Sequence, residues 1–124
     1  MVYSTHIYLR NLRLYAFHGV MPQERVVGGE YVVNLDVKAK VAEAIQSDRV
    51  EDTIDYAVMH DIVVREMAIP SQLLEHVAGR IGNALLETFT RIEEVEVDIC
   101  KVTPPFGGDC DGAGVKLQLN RVKG

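Results

Sequence analysis

The stretch that decides the fold is Tyr31-Val-Val-Asn-Leu-Asp-Val-Lys-Ala-Lys-Val41. Its odd positions from Val33 onward are all hydrophobic, and its even positions from Asn34 to Lys40 are all polar. A period of two residues is that of a β-strand, in which successive side chains point to opposite faces of the sheet. The stretch therefore predicts a long strand with one buried face and one solvated face.

Three other segments show the same alternation of aliphatic and polar side chains. They are residues 94–100, residues 115–120 and residues 6–17, and the last of these slips by one position near Arg10-Asn11. A single slip in an otherwise regular strand indicates a β-bulge. We therefore expect four strands, with a bulge in the first.

Two segments between the second and third strands have hydrophobic residues at helical spacing. The first begins at Tyr56, with Asp55 as its expected cap, and ends before Pro70. The second runs from Leu74 to Phe89, and Ser71 is a plausible cap for it.

The remaining connections are polar or rich in Gly and Pro. Residues 20–29 read as a loop, residues 42–55 as an acidic connection with room for a helical turn, and residues 103–114 as a second loop. The order β-β-α-α-β-β predicts an α+β fold, in which two helices cover one face of an antiparallel four-stranded sheet. Residues 1–124 are long enough for a single domain and for no second one.

Long strands with unpaired edges invite pairing with other chains. One way to satisfy such edges is to close several sheets into one barrel, so we expect a homo-oligomer. The net charge of −5 and a pI near 5.3 argue against a nucleic-acid partner. No apolar run approaches the roughly 18 residues of a membrane helix. The N-terminus shows no basic region followed by an apolar one, which favours the cytoplasm.

No pattern for a metal or cofactor is present in the sequence. The histidines have no H-x-H or H-E-x-x-H spacing, and Cys100 and Cys110 read as two thiols of a reducing compartment. The Gly-rich stretch Gly107–Gly112 joins two strands and carries two acidic residues, which argues against a phosphate cradle. We therefore predict no metal ion and no cofactor.

Four polar residues stand where segments begin or end, and each has an ordinary interpretation. Glu24 would be an exposed loop carboxylate, and Tyr56 a tyrosine that packs at the start of a helix. Glu75 would complement the helix dipole, and Lys101 would be a solvated lysine at a strand end. Taken singly, none of them indicates a site.

Their combination resembles the dihydroneopterin aldolase family, and the resemblance runs essentially from end to end of the chain. The stretches that carry it, in order, are Tyr15-Ala-Phe-His-Gly19 followed by Glu24, Asp52-Thr-Ile-Asp-Tyr56, Leu73-Leu-Glu-His76, and Lys101 before Pro104-Pro105. The tunnelling fold of that family has the same β-β-α-α-β-β order.

The resemblance implies a retro-aldol cleavage of 7,8-dihydroneopterin, a step of folate biosynthesis, to 6-hydroxymethyl-7,8-dihydropterin and glycolaldehyde. Such a cleavage needs an acceptor for electrons. The N5=C6 imine of the substrate can accept them, so neither a metal ion nor a lysine Schiff base is required. Epimerisation at the 2′ carbon is an expected side activity, since the cleaved fragments can recombine.

The resemblance also implies a role for each candidate residue. Glu75 would accept hydrogen bonds from the pterin N–H and NH₂ groups, with the backbone at Leu74 helping to hold the ring. Lys101 would be the main proton-transfer group. Tyr56 would bind the hydroxylated side chain and help to protonate carbon, and Glu24 would position the polar end of the substrate and the lysine.

The same resemblance places the site between subunits. The segment from Thr53 to Tyr56 would reach in from a neighbour, and Val20, Ile54 and Leu73 would form apolar walls for the ring. Four subunits would close a barrel, and two such rings would stack into an octamer.

Two departures from the family pattern and two rival functions stay open at this stage. Asp55 stands where some members carry His, and Cys110 lies in a loop where an aromatic residue is common.

The first rival function is that of a related paralogue, which epimerises dihydroneopterin triphosphate. A third possibility is a pterin- or purine-binding assembly protein that needs Glu75 but not Tyr56 or Lys101.

Overall fold

The sheet is built from four antiparallel strands, as expected from the alternating segments. A computed structural model of the chain describes residues 4–106 and 109–122. The strands are β1 (Thr5–Ala16), β2 (Gly29–Ala39), β3 (Ile92–Lys101) and β4 (Ala113–Asn120). The helices are α1 (Pro22–Val27), α2 (Ala42–Ser47), α3 (Tyr56–Met67) and α4 (Leu74–Thr88), with a 3₁₀ turn at Val50–Asp52.

Strand order in the sheet follows the chain, β1-β2-β3-β4, so β1 and β4 are the two edges. In the register of β2 and β3, Tyr31 lies opposite Lys101 at one end of the sheet, and Ala39 lies opposite Ile92 at the other. Lys101 thus lies at the end of the sheet where β1 ends and β2 begins.

The bulge predicted in β1 is confirmed. The register of β1 against β2 shifts between Leu9 and Leu12. Asn11 adopts a left-handed backbone with φ of 55°, which asparagine tolerates better than most residues. Its N–H donates to Oδ1 of Asn34 at 2.8 Å, so the extra residue keeps a hydrogen-bond partner.

The core lies between the sheet and the two long helices, α3 and α4. The aliphatic rows of β2 and β3 are almost fully buried, whereas those of β1 and β4 are only partly buried. A Cβ built on Gly82 would lie 2.1 Å from Cδ1 of Leu119, so α4 and β4 pack closely at this glycine. The fully buried rows are Val33, Leu35 and Val37 of β2 and Val95, Val97 and Ile99 of β3.

The two helix caps inferred from the sequence had opposite outcomes. Asp55 caps α3 as predicted, because its Oδ1 accepts the N–H of Ala57 at 2.9 Å. Ser71 as a cap for α4 was wrong, since the cap position is Leu73 and no side chain bonds there. The Ser71 hydroxyl instead bonds Nδ1 of His76 at 2.9 Å and accepts from Arg80 at 2.9 Å.

The loop expected at residues 20–29 was wrong in part, because residues 22–27 form α1. Pro22 starts this helix with a preset φ, and Glu24 reaches back to the N–H of Met21 at 3.4 Å. Gly28, with φ of 73°, ends it. Gly107 and Gly108 of the second expected loop lie outside the described residues. Within the described ranges, no helix is long and apolar enough to span a bilayer.

Candidate functional site

Lys101 and Glu24 form a half-buried ion pair, although they are 77 positions apart in the chain. Nζ of Lys101, the last residue of β3, lies 2.6 Å from Oε2 of Glu24 in α1. The two side chains are only 16% and 19% exposed, so neither is the solvated surface charge that its position in the sequence allowed. The pair borders a cavity of about 90 Å³, which His18, Tyr31 and Glu30 also line.

The ion pair lowers the pKa of the Glu24 carboxyl. The hydrogen bond from Lys101 is the largest cause, and partial burial acts in the opposite direction. The carboxylate is therefore held ionised and acts as an acceptor for the ammonium group. Glu24 is also confined sterically, because a Cβ on Gly19 would lie 2.5 Å from Cβ and Cδ of Glu24.

His18 is buried behind this pair, with 1% of its surface exposed. Its Nδ1 accepts the backbone N–H of Ser71 at 3.0 Å, so in this hydrogen bond Nδ1 carries no proton. Burial lowers the pKa of the imidazole, and the charges of Arg80 and Lys101 lower it further, while the carbonyl of Met67 opposes the shift. His18 is thus a neutral hydrogen-bond acceptor in the native fold.

Tyr31 connects His18 to the strand that faces Lys101. Its hydroxyl donates to the carbonyl of His18 at 2.8 Å and accepts the N–H of the same residue at 3.2 Å. Burial is the main reason that the pKa of the Tyr31 phenol is raised, and the charge of Glu24 adds to it. The phenol is therefore a structural donor in this arrangement.

The start of α4 lies at the same end of the molecule as the ion pair. The N–H of Gly19 donates to the carbonyl of Ser71 at 2.9 Å, which ties the end of β1 to the segment before α4. Glu75 is exposed in the first turn of α4, and Leu74 beside it is 9% exposed. Of the three residues expected to form apolar walls, Val20 and Leu73 are 61% and 51% exposed, whereas Ile54 is 2% exposed and lies in the core.

The segment from Thr53 to Tyr56 lies near the opposite end of the sheet from Lys101. Arg91, directly before β3, donates to the carbonyl of Glu51 at 2.7 Å, whereas Lys101 ends that strand. Nine residue steps along a strand span about 30 Å. A cavity of about 430 Å³ borders Thr53 and Ile54 there, and Tyr56 is 66% exposed. One chain therefore does not bring Tyr56 to Lys101.

The contacts made by His18 and Tyr31 were not predicted from the sequence. The sequence shows His18 only as part of the Tyr15–Gly19 stretch of the family resemblance, and Tyr31 only as the start of a strand. A polar residue at a position that the strand pattern assigns to the core, as at Tyr31, is the available signal. Across the described residues, no three His, Cys, Asp or Glu side chains cluster in a way that could hold a metal ion.

A family model described as dihydroneopterin aldolase matches residues 7–118 of this chain. The chain belongs to the dihydroneopterin aldolase family. A dihydroneopterin aldolase from Staphylococcus epidermidis is 36% identical over 112 residues, covering 90% of this chain and 93% of the relative. Membership of this aldolase family makes the chain an aldehyde-lyase of folate biosynthesis.

Solved structures of aldolase family members share the fold. The E. coli dihydroneopterin aldolase in complex with neopterin superposes with a TM-score of 0.84 at 22% identity, covering 94% of this chain and 99% of that one. A dihydroneopterin aldolase from Burkholderia thailandensis bound to guanine gives a TM-score of 0.78 at 24% identity, covering 96% and 93%. At these identities the likeness establishes the α+β fold alone.

The neutral state of His18 has a measurable consequence for stability. Its pKa lies below the ordinary 6.5 in the native fold, so the unfolded chain binds an extra proton as the pH drops. We expect the free energy of unfolding to fall as the pH is lowered from about 7.5 to about 5.5. Glu24 contributes in a separate window, because its lowered pKa removes stability only below about pH 4.5.

Denaturant unfolding at a series of pH values checks this prediction. The variant His18→Asn keeps an acceptor oxygen but has no titratable ring, and it should show a flatter slope between about pH 7.5 and 5.5. An identical slope in the wild-type chain and the variant would show that His18 does not titrate in this way.

Proposed function

We propose that this chain cleaves 7,8-dihydroneopterin by a retro-aldol reaction, giving 6-hydroxymethyl-7,8-dihydropterin and glycolaldehyde. The observation that carries the proposal is the contact of 2.6 Å between Lys101 and Glu24 beside the start of α4. An ammonium group held by a carboxylate in a confined cavity suits proton transfer. Membership of the dihydroneopterin aldolase family supplies the substrate class.

The electron flow needs no group beyond the substrate and the protein. Removal of the proton from the 2′ hydroxyl lets the C1′–C2′ bond break and releases glycolaldehyde. The electron pair of that bond passes to C6 and N5, and N5 takes a proton to give an enamine. Protonation at C1′ with loss of the N5 proton restores the imine, so the proton count balances.

Lys101 and Tyr56 have complementary parts in this scheme. Lys101 lies in the cavity and would move protons to and from N5 and the hydroxyl groups, directly or through water. Glu24 would orient the lysine and the polar end of the substrate, which its hydrogen bond to Nζ supports. Tyr56 would bind the hydroxylated side chain and help to deliver the proton to C1′.

Recognition of the ring would rest on the first turn of α4. Neopterin and guanine, the ligands of the E. coli and Burkholderia proteins, both present a ring N–H beside an exocyclic amino group. A carboxylate with two acceptor oxygens matches that edge, and Glu75 is exposed where it can do so. The backbone at Leu74 and the apolar groups of Val20 and Leu73 would contact the ring. The side chain of Ile54 is 2% exposed, so this residue would contribute through its backbone. Thr53 would contact the substrate from the neighbouring subunit, together with the rest of the segment up to Tyr56.

The site would be completed by a second subunit. Within one chain, Tyr56 and Lys101 lie at opposite ends of the sheet. Strands β1 and β4 are open edges with partly buried aliphatic rows. We propose that the edges of neighbouring chains pair, that four chains close a barrel, and that two rings stack into an octamer. In that arrangement the segment from Thr53 to Tyr56 of one subunit would face Lys101 of the next.

Subunit mixing tests the shared site. Tyr56→Phe and Lys101→Ala chains, each slow alone, should regain activity when they are unfolded and refolded together, since some interfaces then carry both intact side chains. With random assembly about a quarter of the sites are intact. Steady-state turnover before and after mixing is the measurement. Mixed subunits with no more activity than the separate variants would place Tyr56 and Lys101 in one subunit's site.

The charges near Lys101 favour a substrate without phosphate groups. Glu24 and Glu30 line the same cavity as the lysine, and the net charge of the chain is −5. A triphosphate would meet two carboxylates there, which disfavours the paralogue's substrate. Epimerisation of dihydroneopterin at the 2′ carbon remains part of the proposal, because the fragments can recombine before release.

We further propose that the chain acts as one domain in the cytoplasm. Cys100 and Cys110 are both free thiols, which suits a reducing compartment. A pathway that makes a small intermediate for other enzymes also fits that location.

Product analysis tests the function directly. The purified protein is incubated with 7,8-dihydroneopterin and a strong chelator, and glycolaldehyde and the hydroxymethyl pterin are measured. Formation of both supports the metal-free aldolase. Formation of the 2′ epimer alone would replace the aldolase by an epimerase. Pterin binding with no product would leave a binding protein.

A further inference from the structure

His18 links the two parts of the proposed site that one chain contains, which are the first turn of α4 and the Lys101–Glu24 pair. Its own hydrogen bonds go to Ser71 and Tyr31. We propose that His18 is a positioning residue, which fixes the distance between the first turn of α4 and the Lys101–Glu24 pair. The hydrogen bonds that join Ser71 to His18 and Gly19, and those that join His18 to Tyr31, are together called the His18 bridge. The inference rests on the proposed function, because it concerns how Glu75 and Lys101 act on one substrate.

On one side, the His18 bridge holds both backbone groups of Ser71. The N–H of Ser71 donates to Nδ1 of His18 at 3.0 Å, and its carbonyl accepts from the N–H of Gly19 at 2.9 Å. Ser71 lies four positions before Glu75, and α4 begins in between. The segment that aims Glu75 is therefore attached to the end of β1 through two bonds across 53 and 52 positions of sequence.

On the other side, the His18 bridge reaches the strand beside the lysine. The hydroxyl of Tyr31 bonds both the N–H and the carbonyl of His18, and the two rings meet edge to face at 5.4 Å. Tyr31 lies directly opposite Lys101 in the register of β2 and β3. A movement of His18 would thus displace the strand pair that carries the lysine.

Glu24 is fixed by the same segment. Arg25 donates to the carbonyl of Gly19 at 2.6 Å and to that of Val20 at 3.0 Å, so α1 is attached to the residues after His18. The space that a Cβ of Gly19 would need is filled by Glu24. The carboxylate that holds Nζ therefore depends on where the His18 bridge places Gly19.

The chemistry of the ring suits a fixed acceptor. Nδ1 must be unprotonated to accept from Ser71, and burial together with the charges of Arg80 and Lys101 favours that state by lowering the pKa of His18. Arg80 also donates to the hydroxyl of Ser71 at 2.9 Å, so the segment is held from its outer side. A protonated ring would lose the bond from the Ser71 N–H and weaken the attachment of this segment to His18.

Loss of the hydrogen bond from Ser71 to the His18 ring should separate catalysis from binding. Glu75 would still accept the pterin edge, because that contact lies within one turn of α4. The reacting carbon would no longer be held at a set distance from Lys101, and a misplacement of about 1 Å can cost about 100-fold in rate. We therefore expect turnover to fall while the dissociation constant of the product pterin stays within about threefold.

Two replacements of His18 distinguish positioning from packing. His18→Asn keeps an acceptor oxygen near the place of Nδ1 but loses the ring, and His18→Phe keeps the ring volume but loses the acceptor. We expect kcat to fall about 10- to 100-fold in His18→Phe and to stay within about fivefold of wild type in His18→Asn. His60→Asn and His60→Phe, on the exposed face of α3, serve as matched controls.

The measurements are kcat, the dissociation constant of 6-hydroxymethyl-7,8-dihydropterin, and the melting temperature of each variant. If His18 acts only through packing, His18→Phe keeps kcat and His18→Asn loses it, which overturns the proposal. Equal loss of kcat and pterin affinity in His18→Phe would overturn it as well. A wild-type protein that forms no product would instead refute the proposed function, and the two failures are thus told apart.

Discussion

Replacing Lys101 by alanine should slow the cleavage of 7,8-dihydroneopterin about 10²- to 10⁴-fold, the usual range for loss of a general acid–base group. Lys101 supplies the ammonium group of the cavity, and Glu24 holds it at 2.6 Å. Affinity for the product pterin should change no more than about threefold, because in the proposed site the ring is held by Glu75 and not by the lysine. Turnover and equilibrium binding, measured on the same preparation, check both parts.

Two further variants show whether the proton or the charge matters. Lys101→Arg keeps the positive charge beside Glu24 but cannot give up its proton near neutral pH, so it should be nearly as slow as the alanine variant. Lys116→Ala is the matched control, because Lys116 also pairs with a glutamate, Glu96, at 2.9 Å, but on the exposed face of β4. Full turnover in Lys101→Ala would refute the proposed role of the lysine.

Replacing Glu75 by alanine should weaken pterin binding by at least about 100-fold. Hydrogen bonds to a charged acceptor contribute about 1.5–3 kcal/mol each, and the proposed contact uses two of them. Glu75→Gln keeps one acceptor oxygen but has no charge, and it should fall between the wild type and the alanine variant. Titration with the product pterin gives these affinities without any dependence on turnover.

Glu87→Ala provides the matched control for Glu75, since Glu87 is exposed near the other end of the same helix. It should bind the pterin as the wild type does. Unchanged affinity in Glu75→Ala would mean that another group accepts the ring N–H and amino donors, and the proposed orientation of the pterin would have to be abandoned.

The strands were predictable because each of their rows of side chains faces either the core or the solvent. Residues 33–41 alternate without exception, and β2 buries the predicted row in the core. The bulge at Asn11 was visible as a slip in that alternation. Helix α1 was not, because six residues provide too few hydrophobic positions for a period, and Pro22 and Glu24 stabilise its first turn through backbone contacts.

The site residues were predictable only where they belong to a stretch that resembles the family. Glu24 and Lys101 were named through the family resemblance, and nothing in their local sequence shows that they form an ion pair across 77 positions. The role of Ser71 was mistaken because a serine before a helix usually caps it, whereas His76 and Arg80 engage this hydroxyl from the side. Long-range polar contacts of this kind leave no periodic signal.

The partly buried rows of the edge strands bear on the life of a newly made chain. Ile7, Leu9, Leu12 and Leu14 of β1, with Val115 and Leu117 of β4, stay in contact with water in a lone chain. In the proposed barrel a neighbouring strand would cover each row, so the free energy gained there would rise with the concentration of chains. A cell that makes little of this protein would hold a larger fraction of it in the form that proteases attack first.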